Sequence, residues 1–243
     1  MRTVRLGLAA TLALAVVLPI EARAQLTLTL RQGKGWVESS DLRLSRPNTD
    51  VTLRDVTWKD DSYRSPIYYG VGLTWWLPRH REWGVGLDLT HAKAILETEE
   101  SALAQGTLDG RRVDGPVLVR DVVPALQLSH GLNLATLNGY RRWWAAPRGE
   151  APTGVALYLG VGAGVALPHV EAQVAGIRTD EYQLAGPAAR ALAGLDVPFD
   201  EHISLVGEAI LSWADLRADL TGGDEVRTRL LVPQLSLGFA LRD

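Results

Sequence analysis

Cysteine is absent from all 243 residues, which excludes a disulfide framework and any thiol chemistry. No apolar run after residue 24 is long enough for a membrane-spanning helix. No Ser/His/Asp spacing, phosphate-binding glycine loop, dinucleotide fingerprint or zinc spacing stands out. Lys and Arg number 25 against 28 Asp and Glu, so nucleic acid is not indicated as a partner.

The first 24 residues read as a secretory leader. Arg2 and Arg5 precede the apolar run Leu6 to Ile20, and Ala22-Arg23-Ala24 offers a cleavage site before Gln25. A retained anchor is the alternative; the short run and the small-residue pattern argue for cleavage. Removing the leader takes away three arginines and one glutamate and moves the formal charge from −3 to −5. Residues 25 to 243 are then one exported domain, and a cysteine-free chain with 24 Gly and eight Trp suits a Gram-negative outer-membrane barrel.

What the chain has in quantity is alternation. From Ile67 to Leu77 and again from Trp83 to Leu89, large apolar residues at every second position oppose Gly, Thr and Asp, the period of an extended strand. A charged turn at 79 to 82 joins the two into a hairpin, with Trp75, Trp76 and Trp83 beside it, where a membrane barrel carries an aromatic girdle. A soluble β-sandwich also alternates, but its strands usually run to about five or six residues. Further strands are expected at 26 to 34, from about Arg120 with a bulge at His130-Gly131, at Gly154 to Leu167, at Glu181 to Val197, at Ile203 to Ala218 and at Val226 to Leu241. Short turns (79 to 82, about 141 to 152, 198 to 202) then alternate with longer loops (37 to 65, 97 to 119, 168 to 180, 219 to 225), in the first of which Val51, Leu53, Val56 and Trp58 could extend a hairpin above the membrane. The expected fold is all-β: an eight-stranded antiparallel up-and-down transmembrane β-barrel, expected as a monomer, whose closure removes unpaired edges. An eight-stranded barrel is filled by its own side chains, with Asp88, Arg190 and Glu208 as an inward charged network.

On such a barrel the informative outward residues are the polar ones. Continuing the outward register past Leu89 reaches His91 and Lys93, and continuing it past Leu167 reaches His169 and Glu171. All four lie at the loop-side ends of their strands. One reading has them snorkel to phosphates or lie above the membrane. The other is an active site open to the lipid of the outer leaflet, with His169, Glu171 and His91 as metal ligands or acid/base groups and Lys93 holding a phosphate. His80 and His202 read as solvated turn residues, and His130 as a local hydrogen-bonding residue at its bulge.

The segments PIYYGVGLTWW (66 to 76), WGVGLDLTHAK (83 to 93), HGLNLATLNGYRR (130 to 142), GVGAGVALPHVE (160 to 171) and YQLAGPAARALAG (182 to 194) resemble the outer-membrane lipid A oxidase family of α-proteobacteria. The resemblance runs in order over most of residues 25 to 243; THAK and PHVE are its most specific pieces. It implies an outer-membrane enzyme that oxidises the proximal glucosamine of lipid A to 2-aminogluconate with oxygen, releases hydrogen peroxide and needs a divalent cation, with lipopolysaccharide as its partner and His91, Lys93, His169 and Glu171 as site candidates. The chain ends in Phe239-Ala-Leu-Arg-Asp243 instead of the usual terminal aromatic. A structural or adhesive outer-membrane barrel without catalysis, acting through its loops, is the other reading.

Overall fold

The computed structural model describes residues 25–145 and 154–243; the expected leader and part of the expected turn at 141 to 152 lie outside them. In chain order the strands are β1 (Gln25–Gly35), β2 (Ser40–Arg46), β3 (Thr49–Val56), β4 (Trp58–Lys59), β5 (Tyr69–Trp76), β6 (Trp83–Leu96), β7 (Ser101–Leu108) and β8 (Arg111–Leu118). A helical turn α1 (Val119–Val122) follows, then β9 (Ala125–Trp144), β10 (Ala156–Ala166), β11 (His169–Val174), β12 (Ile177–Tyr182), β13 (Gly186–Pro198), β14 (Ile203–Asp219) and β15 (Glu225–Arg242).

All pairings are antiparallel, and eight strands pair in a cycle: β1, β5, β6, β9, β10, β13, β14 and β15, with β15 returning to β1. The sheet therefore holds fifteen strands where eight were expected. The seven others come from segments expected to be loops. Residues 37 to 65 and 97 to 119 fold back as β2–β3 and β7–β8, and 168 to 180 holds the start of a third hairpin, β11–β12. Two ring strands start later than their sequence pattern suggested. Residues 119 to 122 turn as a helix before β9, and Ile177–Tyr182 pairs back onto β11 before β13 begins. The reason is apolar alternation within the polar stretches: Leu42, Leu44, Val51, Leu53 and Val56 are all buried. They extend the sheet into a collar that hangs on β15 through β2.

Burial is inverted in the ring. Outward positions of β10 from Leu157 to Leu167, of β14 from Ile203 to Trp213 and of β15 from Leu231 to Leu241 are apolar for about eleven residues each, the length of a tilted strand across hydrocarbon. Polar outward residues begin abruptly above them, at His169, Asp215 and Arg229. At the turn end Trp75, Trp83 and Trp143 are exposed side by side on β5, β6 and β9.

Inside the ring, Arg31 and Arg190 each bridge Asp88 and Glu208. The Glu208 contacts are 3.0 and 3.1 Å. The network anticipated from Asp88, Arg190 and Glu208 thus gains Arg31, which makes it charge-balanced. Tyr158 donates to Glu208 at 2.7 Å and Thr90 to Asp88 at 2.9 Å. Beside this network, among the described residues, lies a small pocket of about 30 Å³, room for ordered water. Toward the collar the lumen becomes an apolar core that includes Leu132, Leu134, Leu230 and Val232.

Two outcomes follow from this interior. Arg190→Met should destabilise the protein by about 3 to 5 kcal/mol, because it leaves buried carboxylates short of a partner; the shift of the urea unfolding midpoint in lipid vesicles measures it. In planar bilayers the protein should give no ion conductance above the lipid background.

Candidate functional site

The site forms where β9 departs from regular pairing. Between Ala92 and Ala94 of β6, β9 advances from Leu132 to Leu128. Against β10 and β11 it likewise uses eight residues, 134 to 127, where its partners use six, 166 to 171. The bulge carries two extra residues and re-aims a side chain. His130 shares the parity of the buried Leu128 and Leu132, yet it is exposed on the outer wall. Gly131 makes this possible. Its φ is +131°, and an added Cβ would lie 2.6 Å from Asn133 and 2.8 Å from the His91 ring.

On the neighbouring β11, Val170, Ala172 and Val174 are buried, while His169 and Glu171 take the outward register expected of them. Glu171 Oε1 lies 2.5 Å from His130 Nδ1 and 3.7 Å from His169 Nδ1, and accepts a hydrogen bond from Ser129 Oγ at 2.8 Å. Ligand atoms of His130, His169 and Glu171 all fall within 4.8 Å of one another. Asp180 of β12 meets His169 Nε2 at 3.2 Å and is held by Arg178 at 2.8 Å. Tyr182 covers His169 with ring centroids 4.5 Å apart. Burial raises the Glu171 carboxyl, but the hydrogen bonds from His130 and Ser129 and the two nearby imidazoles outweigh it and hold the group below the usual carboxylate range.

His91 and Lys93 depart from expectation. Both keep the outward parity of β6 but are covered, at 3% and 4% exposure. His91 stacks on Tyr69 at 4.7 Å and 8°, and its Nδ1 meets Asn133 Oδ1 at 2.9 Å. Lys93 donates to the Arg64 carbonyl at 2.7 Å, beneath the chain that leads into β5. Parity determines which wall a side chain leaves from, and a covering loop determines whether it reaches solvent. The imidazole that completes the cluster is His130, and the broken alternation at His130-Gly131 was the sequence signal for it.

The donor set is two imidazoles and a carboxylate, a combination that suits first-row divalent cations. One detail fits such an ion: His169 Nδ1 is buried without a hydrogen-bond partner and lies on the Glu171 side of the ring. Lone buried polar atoms of this kind are costly unless something else satisfies them.

No family model matches the chain, and no curated protein matches it in sequence. Solved structures do resemble it. The outer membrane protein OprG from Pseudomonas aeruginosa is 14% identical, with TM-score 0.48, over 91% of this chain and 97% of that one. Neisserial surface protein A is 9% identical, with TM-score 0.39, over 90% and 96%. The attachment invasion locus protein Ail of Yersinia pestis is 14% identical, with TM-score 0.34, over 91% and 100%.

Proposed function

We propose that the chain is an eight-stranded transmembrane barrel of the outer membrane that acts as a lipid A oxidase, converting the proximal glucosamine to 2-aminogluconate. The observation that carries this reading is the position of the His130, His169 and Glu171 cluster. It faces outward on the first polar row above the apolar belt, the depth of a lipid headgroup. A charge facing hydrocarbon costs about 2 to 4 kcal/mol at mid-membrane and little at the interface, so such a cluster is tolerated there and nowhere lower. A lipid substrate can reach it by lateral diffusion, without entering the closed lumen.

His130 Nδ1, His169 Nδ1 and Glu171 Oε1 are the atoms that would hold a divalent cation, with Asp180 orienting His169 through Nε2. When bound, the cation supplies Lewis acidity at the sugar oxygen. Asp180, half-exposed at the mouth, is the group placed to take the proton of the anomeric hydroxyl. The anomeric C–H bond gives up two electrons and a proton and the anomeric hydroxyl gives up a second proton, dioxygen takes both electrons and both protons to become hydrogen peroxide, and water opens the resulting lactone. The lipid gains one oxygen in all. The anomeric hydroxyl must be free for this, so the test lipid lacks a phosphate at that position.

A second reading, a barrel that works by adhesion, rests on the collar, whose β2, β3, β7 and β8 form an ordered sheet above the ring. Deleting residues 101 to 118 would abolish surface binding on that reading and leave any lipid chemistry intact.

Lipid A from membranes carrying the wild type under aerobic, metal-replete conditions should show a gain of about 16 daltons, which His130→Ala, His169→Ala and Glu171→Ala each lose while staying folded. No gain from the wild type would sink the oxidase reading. Manganese bound per chain gives a readout apart from turnover. It should approach one equivalent in the wild type and fall at least tenfold in His130→Ala. Gly131→Val should also lower it, since the strained backbone displaces His130; unchanged binding in both would mean the ion is held elsewhere.

A further inference from the structure

A groove follows β13 on the outer wall. Its outward residues Ala193, Ala191, Ala189 and Pro187 are small, whereas the flanking strands carry larger ones such as Leu159, Val161 and Leu211. The lower part is an apolar concavity of about 660 Å³ floored by Ala191 and Ala193. The upper part, about 510 Å³, has Val165, Pro187 and Leu184 toward the membrane and Asp215, Arg217, Asp219 and Arg227 above. From Ala193 to Pro187 the strand rises about 20 Å, or about 14 Å of depth at a 45° tilt. That is close to one leaflet of hydrocarbon.

The charges at the top are equal in number but unevenly placed. Glu225 is shared by Arg217 and Arg227, at 2.5 Å from each, and neither guanidinium makes another side-chain contact among the described residues. The next outward residue below, Asp215, is already neutralised by Arg229 at 3.2 Å; Asp219 is the next one above. Counting Asp219 the cluster is charge-balanced, but a ligand arriving from the membrane side reaches the two guanidiniums before Asp219, and their N–H donors not taken by Glu225 suit a phosphate. The groove also adjoins the site. Gln183 and Leu184 line it, and Tyr182, the preceding residue, packs on His169. Two or three extended residues put the two about 10 Å apart, the scale of a disaccharide headgroup.

We infer that this groove seats the distal, phosphorylated half of lipid A, with the phosphate on Arg217 and Arg227 and an acyl chain along Ala189, Ala191 and Ala193, while the proximal sugar lies at the His130, His169 and Glu171 cluster. This rests on the lipid A reading above and assigns the part of the substrate that does not react. Holding that part supplies orientation at the reacting carbon.

Native mass spectrometry of the full chain in detergent tests it, with three probes: lipid A bearing only the distal phosphate, the same lipid without phosphate, and phosphatidylglycerol. The wild type should bind the phosphorylated lipid A at least tenfold more tightly than the phosphate-free form, and Arg217→Gln/Arg227→Gln should erase that difference. Ala191→Phe/Ala193→Phe should weaken both forms of lipid A. A double arginine variant that keeps the preference overturns the phosphate seat. Phosphatidylglycerol binding equally well, with the same arginine dependence, reduces the groove to a general anionic-lipid contact and overturns the assignment. Arginine-dependent binding without any 16-dalton gain keeps the groove and removes the oxidase. Oxidation with an unchanged KM in the arginine variant does the reverse.

Discussion

A ring of strands that closes on itself leaves no row of backbone N–H and C=O groups without partners. The rest of the structure depends on that closure. β15 pairs with β1 over nine consecutive residue pairs, so the outer wall presents only side chains and can be made apolar over its whole circumference. In water this would be an aggregation hazard; against lipid it is the stable arrangement. The same closure fixes the interior. A cylinder of eight strands has room for side chains and little else, and the four charges of Arg31, Asp88, Arg190 and Glu208 neutralise one another there.

Because lumen and wall are separate, chemistry on this molecule has two very different places to be. The lumen's four charged side chains are engaged with one another, beside a pocket of about 30 Å³. The wall has its polar groups at the rim, directly above the apolar belt. The bulge in β9 is the device that brings a third side chain of the cluster to that rim. Regular pairing would have turned His130 into the apolar core, and two extra residues with a glycine at positive φ turn it out beside Glu171.

The ring was legible in the sequence because strict alternation fixes which wall each residue faces: Leu157 to Leu167 and Leu231 to Leu241 leave no ambiguity about the outward side. The collar was not. Its strands are seven or eight residues long, are interrupted by charges that face solvent, and are stabilised by neighbours far away in sequence, so 40 to 56 and 101 to 118 read as loops. The site was half legible. His169 and Glu171 follow from parity, whereas His130 needed the geometry of the bulge, and the cover over His91 and Lys93 comes from residues 61 to 69, whose path no local pattern gives. The groove was invisible, since it arises from the heights of side chains on three neighbouring strands.

The attachment of the collar has a consequence for how the protein matures. β2, near the start of the chain, hangs on residues 225 to 228 of β15, near its end, and β3, β7 and β8 follow outward from β2. Contacts between segments so far apart in sequence form late, because the loop entropy must be lost before they contribute. The collar therefore has no template until the final strand arrives, and its assembly and the closing of the ring depend on the same strand. Anything that binds the finished collar thus recognises only chains that have completed their last hairpin, which makes this surface a marker of fully assembled protein.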